Sequence, residues 1–383
     1  LNLPPLYPIT DARLDLSLSA QVRRFSDAGF PLVQFRGKPL DALAQMDELR
    51  TALKESAANG GWPLIVVNDR ADLAVLAAAE GLTPWGLHLG QEDLPPEEAL
   101  QLPGLAGLHL GASTHRSEDW EAVSATCDHA GVGPVRGTAT KTDHSEPIGF
   151  EGLAAGCAAL RAKGVAPIAI GGLGIEDLSA CYVAGAESVA MVSALAGAED
   201  SSELLGQAQL ARWKAQPPFR PGQGLLLTGS SGAGKSTLGK VLALELDLPF
   251  HDLDRAIATR AGKSIPAIFL EDGEGAFRAH EAAVLPALLS EPAVIALGGG
   301  AWESATVRRA AETAGFQALW VAENPATCWD RVAADPHRPL AADRGIFMAR
   351  HRDRMARWSR LPCVLPLGRG AEDLGRALAS AVS

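Results

Sequence analysis

The sequence predicts an α/β protein of two domains, and three observations carry that expectation. Its 383 residues exceed one ordinary domain. Short β-rich runs alternate with helix-like stretches, the pattern of parallel sheets covered by helices. A Pro- and Gly-rich break near residue 217 separates two such series.

The first series holds eight β-rich runs, at 6–10, 32–36, 64–68, 86–90, 108–113, 131–135, 167–172 and 188–193. Ala- and Leu-rich segments with helical spacing lie between them, such as 40–57, 72–79 and 175–184. Eight strand–helix units in about 200 residues predict a compact TIM (β/α)8 barrel, with a doubly wound open sheet as the alternative.

In such a barrel the chemistry gathers where strands end. Gln34, Arg36 and Lys38 follow run two, Asn68 and Asp69 end run three, and Gln91 and Asp93 follow run four. Ser113 closes run five, Thr138, Thr140 and Lys141 follow run six, Gly171 and Gly172 end run seven, and Ser193 ends run eight. Asp69 and Asp93 come from adjacent strands and suit a hard cation such as Mg2+, while Lys38 and Lys141 suit a diphosphate. Strand-end glycines let backbone N–H groups approach a phosphate.

These residues sit in an ordered set of segments: VQFRGK (33–38), VNDRADLA (67–74), HLGQEDLP (88–95), GASTH (111–115), GVGPVRGTATK (131–141), AIGGL (169–173) and VAMVSAL (189–195). Together they resemble the thiamine phosphate synthase family. The resemblance implies coupling of hydroxymethylpyrimidine diphosphate with a thiazole phosphate, diphosphate leaving. It implies that Gln34, Phe35, Arg36, Gly37, Lys38, Asn68, Ser113 and Lys141 hold the pyrimidine diphosphate, with Asp69 and Asp93 on Mg2+. Thr138, Ala139, Thr140, Gly172, Val192 and Ser193 would hold the thiazole phosphate. Arg136 and Gly137 stand where the family usually has an aromatic residue and proline. A related branch isomerises the thiazole; it generally lacks the QxRxK and paired-aspartate pattern present here. His88 and His109 read as packed strand residues, His115 stands closer to the site, and Trp62, Trp85 and Trp120 read as covers of helix–strand edges.

A helix over 207–215 is expected to close the barrel against its first strand. Pro217, Pro218, Pro221, Gly222 and Gly224 then break regular structure. The expected boundaries are 1–215 for the barrel, 216–224 for a linker and 225–383 for the second domain.

That second domain opens with the apolar run LLLT (225–228), the loop GSSGAGKST (229–237) and a helix-like stretch at 238–246. Strand, glycine loop, GKS and helix form the setting of a Walker A phosphate loop. Its backbone N–H groups, across Gly232, Ala233, Gly234, Lys235, Ser236 and Thr237, are placed to cradle ATP phosphates. Lys235 bridges the transferring groups and Ser236 offers a hydroxyl to Mg2+. Asp252 and Asp254, in FHDLD (250–254), alternate along an expected strand and so share a face, Asp252 toward Mg2+ and Asp254 toward a substrate hydroxyl.

AGKSIPAIF (261–269), GEGAFRAHE (273–281), VIALGGGA (294–301), RVAADPHRPL (331–340) and RHRDRMARW (350–358) follow. In this order the segments resemble shikimate kinase, a P-loop NTPase-type α/β/α kinase with a parallel sheet. The resemblance implies γ-phosphoryl transfer from ATP to the 3-hydroxyl of shikimate. Asp254, Arg278, Gly299 and Arg354 would hold shikimate, Glu281 would orient Arg278, and Arg338 would close over the phosphates. Arg331 and Arg369 are further candidates for the nucleotide. Ala258 and Trp358 depart from the family's glutamate and tyrosine, and Arg350, Arg352 and Arg357 compete with Arg354. Gluconate kinase, the nearest rival, shares the loop but generally lacks the FRxxE and RPL arrangement.

Bulk properties set the outer bounds. With 47% hydrophobic and 21% charged residues, both halves can bury a core. A net charge of -11 argues against nucleic-acid or anionic-membrane partners, and leaves small phosphorylated substrates. Asp353 interrupts the basic stretch 350–360, against reading it as a nucleic-acid patch. Cys127, Cys157, Cys181, Cys328 and Cys363 show no CxxC spacing, which fits a reduced compartment. No signal-like or membrane-spanning run is seen, so a cytoplasmic enzyme is expected, with a few residues missing before Leu1. The expectation is a bifunctional transferase with one Mg2+ per site and ATP as co-substrate. The alternative keeps one active domain, the other serving as a binding or scaffold module.

Overall fold

A computed structural model describes residues 2–137, 146–198, 200–333, 343–368 and 370–382. The chain divides into two compact units, Leu1–Gln216 and Pro217–Ser383.

In the first unit, eight strands are β1 (Leu6–Pro8), β2 (Leu32–Phe35), β3 (Leu64–Asn68), β4 (Gly86–Leu89), β5 (His109–Thr114), β6 (His129–Val132), β7 (Ala166–Ala169) and β8 (Ser188–Met191). All their pairings are parallel, in the order β1-β8-β7-β6-β5-β4-β3-β2. A bridge between Ile9 and Gln34 joins the two ends, so the sheet is a nearly closed barrel. Thr10 fastens this seam: its N–H donates to Gln34 O at 3.0 Å, and its hydroxyl accepts from Arg36 N at 2.8 Å. None of the eight strands has an exposed residue, and they are short, as parallel strands covered on both faces must be.

Helix starts follow their caps. Asp41 accepts from Ala44 N ahead of Ala42–Ala58, and Ser17 accepts from Ala20 N ahead of Leu18–Asp27. Three expected spans shift for local reasons. The helix expected at 207–215 begins at Ser201, because Asp200 caps it on Ser202 N and Glu203 N. The one expected at 175–184 is a 3-10 turn, Ile175–Asp177, followed by Leu178–Val183. The run expected to reach residue 172 leaves the sheet at Ala169, since Gly171 (φ +101°) and Gly172 (φ +63°) turn into conformations that strands do not use.

The second unit holds β9 (Leu225–Thr228), β10 (Phe250–Asp252), β11 (Val294–Ala296), β12 (Gln317–Val321) and β13 (Cys363–Val364). They form one parallel sheet in the order β10-β11-β9-β12-β13. The chain order therefore reverses around β9, and ligands of open α/β sheets bind at such a reversal, beyond the carboxyl ends of the strands. Leu226, Ile295, Leu253, Ile257, Phe277 and Leu285 are core residues of one cluster beneath this sheet. Trp358 is fully buried and stacks on Trp320, so it serves packing.

All five cysteines are buried free thiols, and burial pushes Cys157, Cys181 and Cys328 up to about 12. No helix among the described residues is long and apolar enough to cross a membrane.

Candidate functional site

Each unit brings its polar residues together at the carboxyl ends of its strands. In the first, a cavity of about 580 Å³ opens there. Gln34, Arg36, Asn68, Ser113, Gly172, Val192 and Ser193 line it, from strands that are far apart in sequence. His115, left open from the sequence, lines it as well. Phe35 does not line it; at 2% exposure it packs in the core, because alternation along β2 turns it opposite to Gln34. Thr138, Ala139, Thr140 and Lys141 lie outside the described residues.

Beside Asn68 stands a charged cluster. Lys38 Nζ lies 2.6 Å from Asp69 Oδ2, and the Asp69 and Asp93 carboxyls hydrogen-bond to each other. Gly90 lets them meet: a Cβ there would stand 3.1 Å from Asp93 Oδ2 and 3.8 Å from Asp69 Oδ1. Its N–H donates to Asp93 Oδ2 at 2.7 Å. Burial pushes the Asp69 carboxyl up, but Lys38, together with Asp93 and His88, offsets it and the net shift is down. Burial also pushes Asp93 up, and there the repulsion of Asp69 acts in the same sense. Two neighbouring carboxylates from adjacent strand ends are a donor set that fits a hard divalent cation. Among the described residues no cluster of three or more His, Cys, Asp or Glu is placed to hold a metal. Phosphate and water oxygens would have to complete any shell here, as is usual for Mg2+.

The strand-seven glycines shape the far wall. A Cβ on Gly172 would collide with Gly137 O and stand 3.0 Å from Arg136 Cβ, so this residue must be glycine for the two loops to touch. Arg136, where the expected aromatic is missing, is instead held by Asp177: Nη2 donates to Oδ1 at 2.7 Å and Nε at 3.1 Å. Its guanidinium also lies over the Phe150 ring.

Sequence reasoning missed part of this cavity. His88 and Tyr7 were expected only to pack, or went unremarked, yet both line it. His88 Nε2 lies 3.0 Å from Ser113 Oγ. The available signal was register: His88 stands two residues before Gly90, on the same face of its strand. His109 behaves as expected of a packed residue, stacked on Trp85 at 4.0 Å.

In the second unit the loop after β9 turns through Gly229 (φ +141°), Gly232 (φ +86°) and Gly234 (φ +88°) into the helix Lys235–Glu245. That helix starts three residues before the expected 238, because left-handed Gly234 caps it. Lys235, 9% exposed, donates to Gly229 O at 2.9 Å and Ser230 O at 2.8 Å, folding its ammonium against the loop. Ser236 Oγ donates to Asp252 Oδ2 at 2.7 Å, joining the two oxygens expected to face a cation.

One geometric premise is corrected. β10 ends at Asp252, which caps the helix Leu253–Ala261 by accepting from Arg255 N. Asp254 is therefore a first-turn helix residue, and strand alternation does not relate the two carboxylates. Asp254 nonetheless reaches Gly298, where a Cβ would collide with its Oδ1.

Arg354 approaches the next two glycines: a Cβ on Gly299 would stand 3.5 Å from its Nη1, and one on Gly300 3.0 Å from its Nη2. Arg278 Nη2 would stand 3.6 Å from the same Gly300 Cβ. Asp254, Arg278 and Arg354 thus converge on Gly298–Gly300 after β11. Arg278 is held by Glu281, its Nη1 donating at 3.1 and 3.0 Å to the two carboxylate oxygens. Burial pulls the Arg354 guanidinium down from its ordinary value. Of its competitors, Arg357 pairs with Glu303 and Arg352 is exposed. Arg331 donates to Gly232 O at 3.0 Å. Arg338 and Arg369 lie outside the described residues.

Comparison with known proteins separates the two units in the same way. The thiamine monophosphate synthase family model matches residues 6–195, and the shikimate kinase family model matches residues 231–361. A thiamine-phosphate synthase of Anaeromyxobacter dehalogenans is 37% identical over 193 residues, covering 50% of this chain and 82% of that protein. One from a Synechococcus species is 43% identical over 180 residues, 46% of this chain; the match spans only about half, 47%, of that longer protein. A solved shikimate kinase from Acinetobacter baumannii, in complex with shikimate, is 27% identical over 43% of this chain and 94% of its own, with a TM-score of 0.39. Through residues 6–195 the chain belongs to the thiamine-phosphate synthase family, and residues 231–361, which follow, match the shikimate kinase family model.

Proposed function

We propose that the chain is a bifunctional transferase, a TIM (β/α)8 barrel over 1–215 and a P-loop kinase over 225–383 joined by residues 216–224. The barrel couples hydroxymethylpyrimidine diphosphate with a thiazole phosphate to give thiamine phosphate and diphosphate. The kinase phosphorylates the 3-hydroxyl of shikimate with ATP. The observation that carries this reading is that each unit assembles an anion cradle beside a carboxylate at its strand ends: Lys38 with Asp69 and Asp93, and Lys235 with Ser236 and Asp252.

In the barrel, the bond between the pyrimidine methylene and the diphosphate oxygen breaks, and diphosphate leaves with the electron pair. The thiazole nitrogen then donates its lone pair to the methylene carbon, forming the new C–N bond. Lys38 and Arg36 stand where negative charge grows on the leaving oxygens, with Lys141 as a further cation. Asn68 and Ser113 orient the pyrimidine, and Gly172, Val192 and Ser193 offer backbone N–H groups to the second phosphate. No general base is required. The Lys38–Asp69 pair favours coupling over the isomerase alternative, which has no diphosphate to release.

In the kinase, the hydroxyl oxygen of the acceptor attacks the γ-phosphorus and ADP leaves with the electron pair. Asp254 orients the hydroxyl and takes its proton, while Arg278 and Arg354 hold the acceptor's carboxylate. The resemblance assigns Arg338 to the phosphates. Asp69 with Asp93, and Ser236 with Asp252, would hold Mg2+, which would supply charge neutralisation to the phosphate oxygens in each site. The location proposed is the cytoplasm, and the partners are small molecules rather than nucleic acid or membrane.

Arg354→Lys tests the acceptor site. Lysine keeps a charge but loses the planar fork, so KM for shikimate is expected to rise about tenfold or more while KM for ATP stays nearly constant. Equal rises for both substrates, in initial-rate assays, would move Arg354 out of the acceptor site. The reading as a whole is tested by incubating the purified full-length chain with each substrate pair. ADP formation without shikimate dependence, or no thiamine phosphate by mass spectrometry, would overturn the corresponding half.

A further inference from the structure

A chain of hydrogen-bonded side chains crosses the barrel interior behind Ser113, and the coupling reaction gives no part to its other members, Tyr7, His88 and His129. Tyr7 Oη lies 3.3 Å from His129 Nε2, and that nitrogen lies 3.3 Å from His88 Nδ1. His88 Nε2 then meets Ser113 Oγ at 3.0 Å. Ser113 and His88 line the cavity, whereas His129 is fully buried behind them. The two imidazoles lie nearly parallel with centroids 5.4 Å apart. Gly111 makes their room, since a Cβ there would collide with both rings.

Protons can be assigned along this chain. Burial, seconded by repulsion from His88, strongly disfavours the charged form of His129, so it carries a single N–H. Its Nδ1 has no hydrogen-bond partner. An N–H orphaned in a core is rarer and costlier than an orphaned acceptor, so the proton belongs on Nε2. From Nε2 it is donated to His88 Nδ1. His88, accepting there, holds its own proton on Nε2 and donates it to Ser113 Oγ. The Ser113 hydroxyl is already accepting, and so directs its proton into the cavity.

We propose that His129 is a positioning residue for the barrel reaction, fixing the tautomer of His88 so that Ser113 presents a hydrogen-bond donor to an acceptor atom of a nitrogen-heteroaromatic diphosphate substrate. The proposal rests on the barrel function given above and adds to it a residue with no access to the cavity. It explains why a polar pair occupies barrel positions that apolar side chains ordinarily fill.

The direct test is the tautomeric state of both imidazoles in the full-length chain, read from two-bond 1H–15N correlations. Both His88 and His129 are expected as Nε2–H, and either found as Nδ1–H overturns the assignment. Two variants test the consequence. His129→Phe keeps the volume without a donor, and His129→Gln keeps an N–H near the ring's far end. The first is expected to raise KM for the pyrimidine diphosphate about tenfold with kcat within about twofold, and to leave His88 in mixed tautomers. The second is expected to restore both. A His129→Phe protein with unchanged KM and unchanged His88 tautomer would show that His129 only fills space. Should the wild type fail to make thiamine phosphate, the function is wrong, while the spectra still decide the proton arrangement.

Discussion

Lys235→Ala is expected to abolish phosphoryl transfer to shikimate, a loss of at least about a hundredfold in kcat, while thiamine phosphate formation stays within error of the wild type. The ammonium is buried against the Gly229 and Ser230 carbonyls, at the mouth of the glycine loop. With nucleotide present, its charge is the one the loop itself supplies to the phosphates, the remaining donors being neutral N–H groups. Alanine removes that charge and the ammonium donor from both carbonyls, Ser230 O keeping the Ala233 N–H at 3.2 Å. The fold should survive, because the loop is fixed by its glycines and by the helix that follows. Assaying both reactions on one preparation, with circular dichroism as a control, checks the result. Loss of both activities with the fold intact would mean that the two sites depend on one another.

The second large effect is expected at the barrel's acidic pair. Asp93→Asn should lower the coupling rate at limiting Mg2+ by about a hundredfold and shift the metal dependence to higher concentration. Asparagine still accepts the Gly90 N–H bond, so local shape is kept while the charge is lost. Removing that charge also relieves the burial cost and the Asp69 repulsion that push Asp93 up, so the apo protein should be no less stable. Undiminished rates at limiting Mg2+ would remove Asp93 from the metal site.

A smaller prediction concerns stability alone. Gly111→Ala would drive a methyl group into His88 and His129, so urea unfolding should show a loss of about 1–3 kcal/mol. An unchanged midpoint would mean the imidazole pair can separate freely.

Much of this architecture was legible because parallel strands that are buried on both faces leave short apolar runs ended by glycine or polar residues. All eight barrel strands and the glycine loop could be located that way. The ends of elements were less visible where a single cap decides them. Asp200 extends the last barrel helix by a turn and more, and Asp252 ends β10 before Asp254. Convergence was legible only by resemblance: nothing in local sequence places Arg278 and Arg354 on either side of Gly300. The Tyr7, His129 and His88 chain was not legible at all, since its members lie on three strands and each reads alone as packing. Arg136 was seen as a departure, and its compensation by Asp177, 41 residues onward, required three dimensions.

One experiment addresses the two-cradle account most directly: full-length wild-type protein supplied with Mg2+ and both substrate pairs, separately and then together. The account predicts that thiamine phosphate and ADP form in each separate reaction, and that saturating one site leaves the rate at the other unchanged. Mutual inhibition, or product from only one substrate pair, would contradict it.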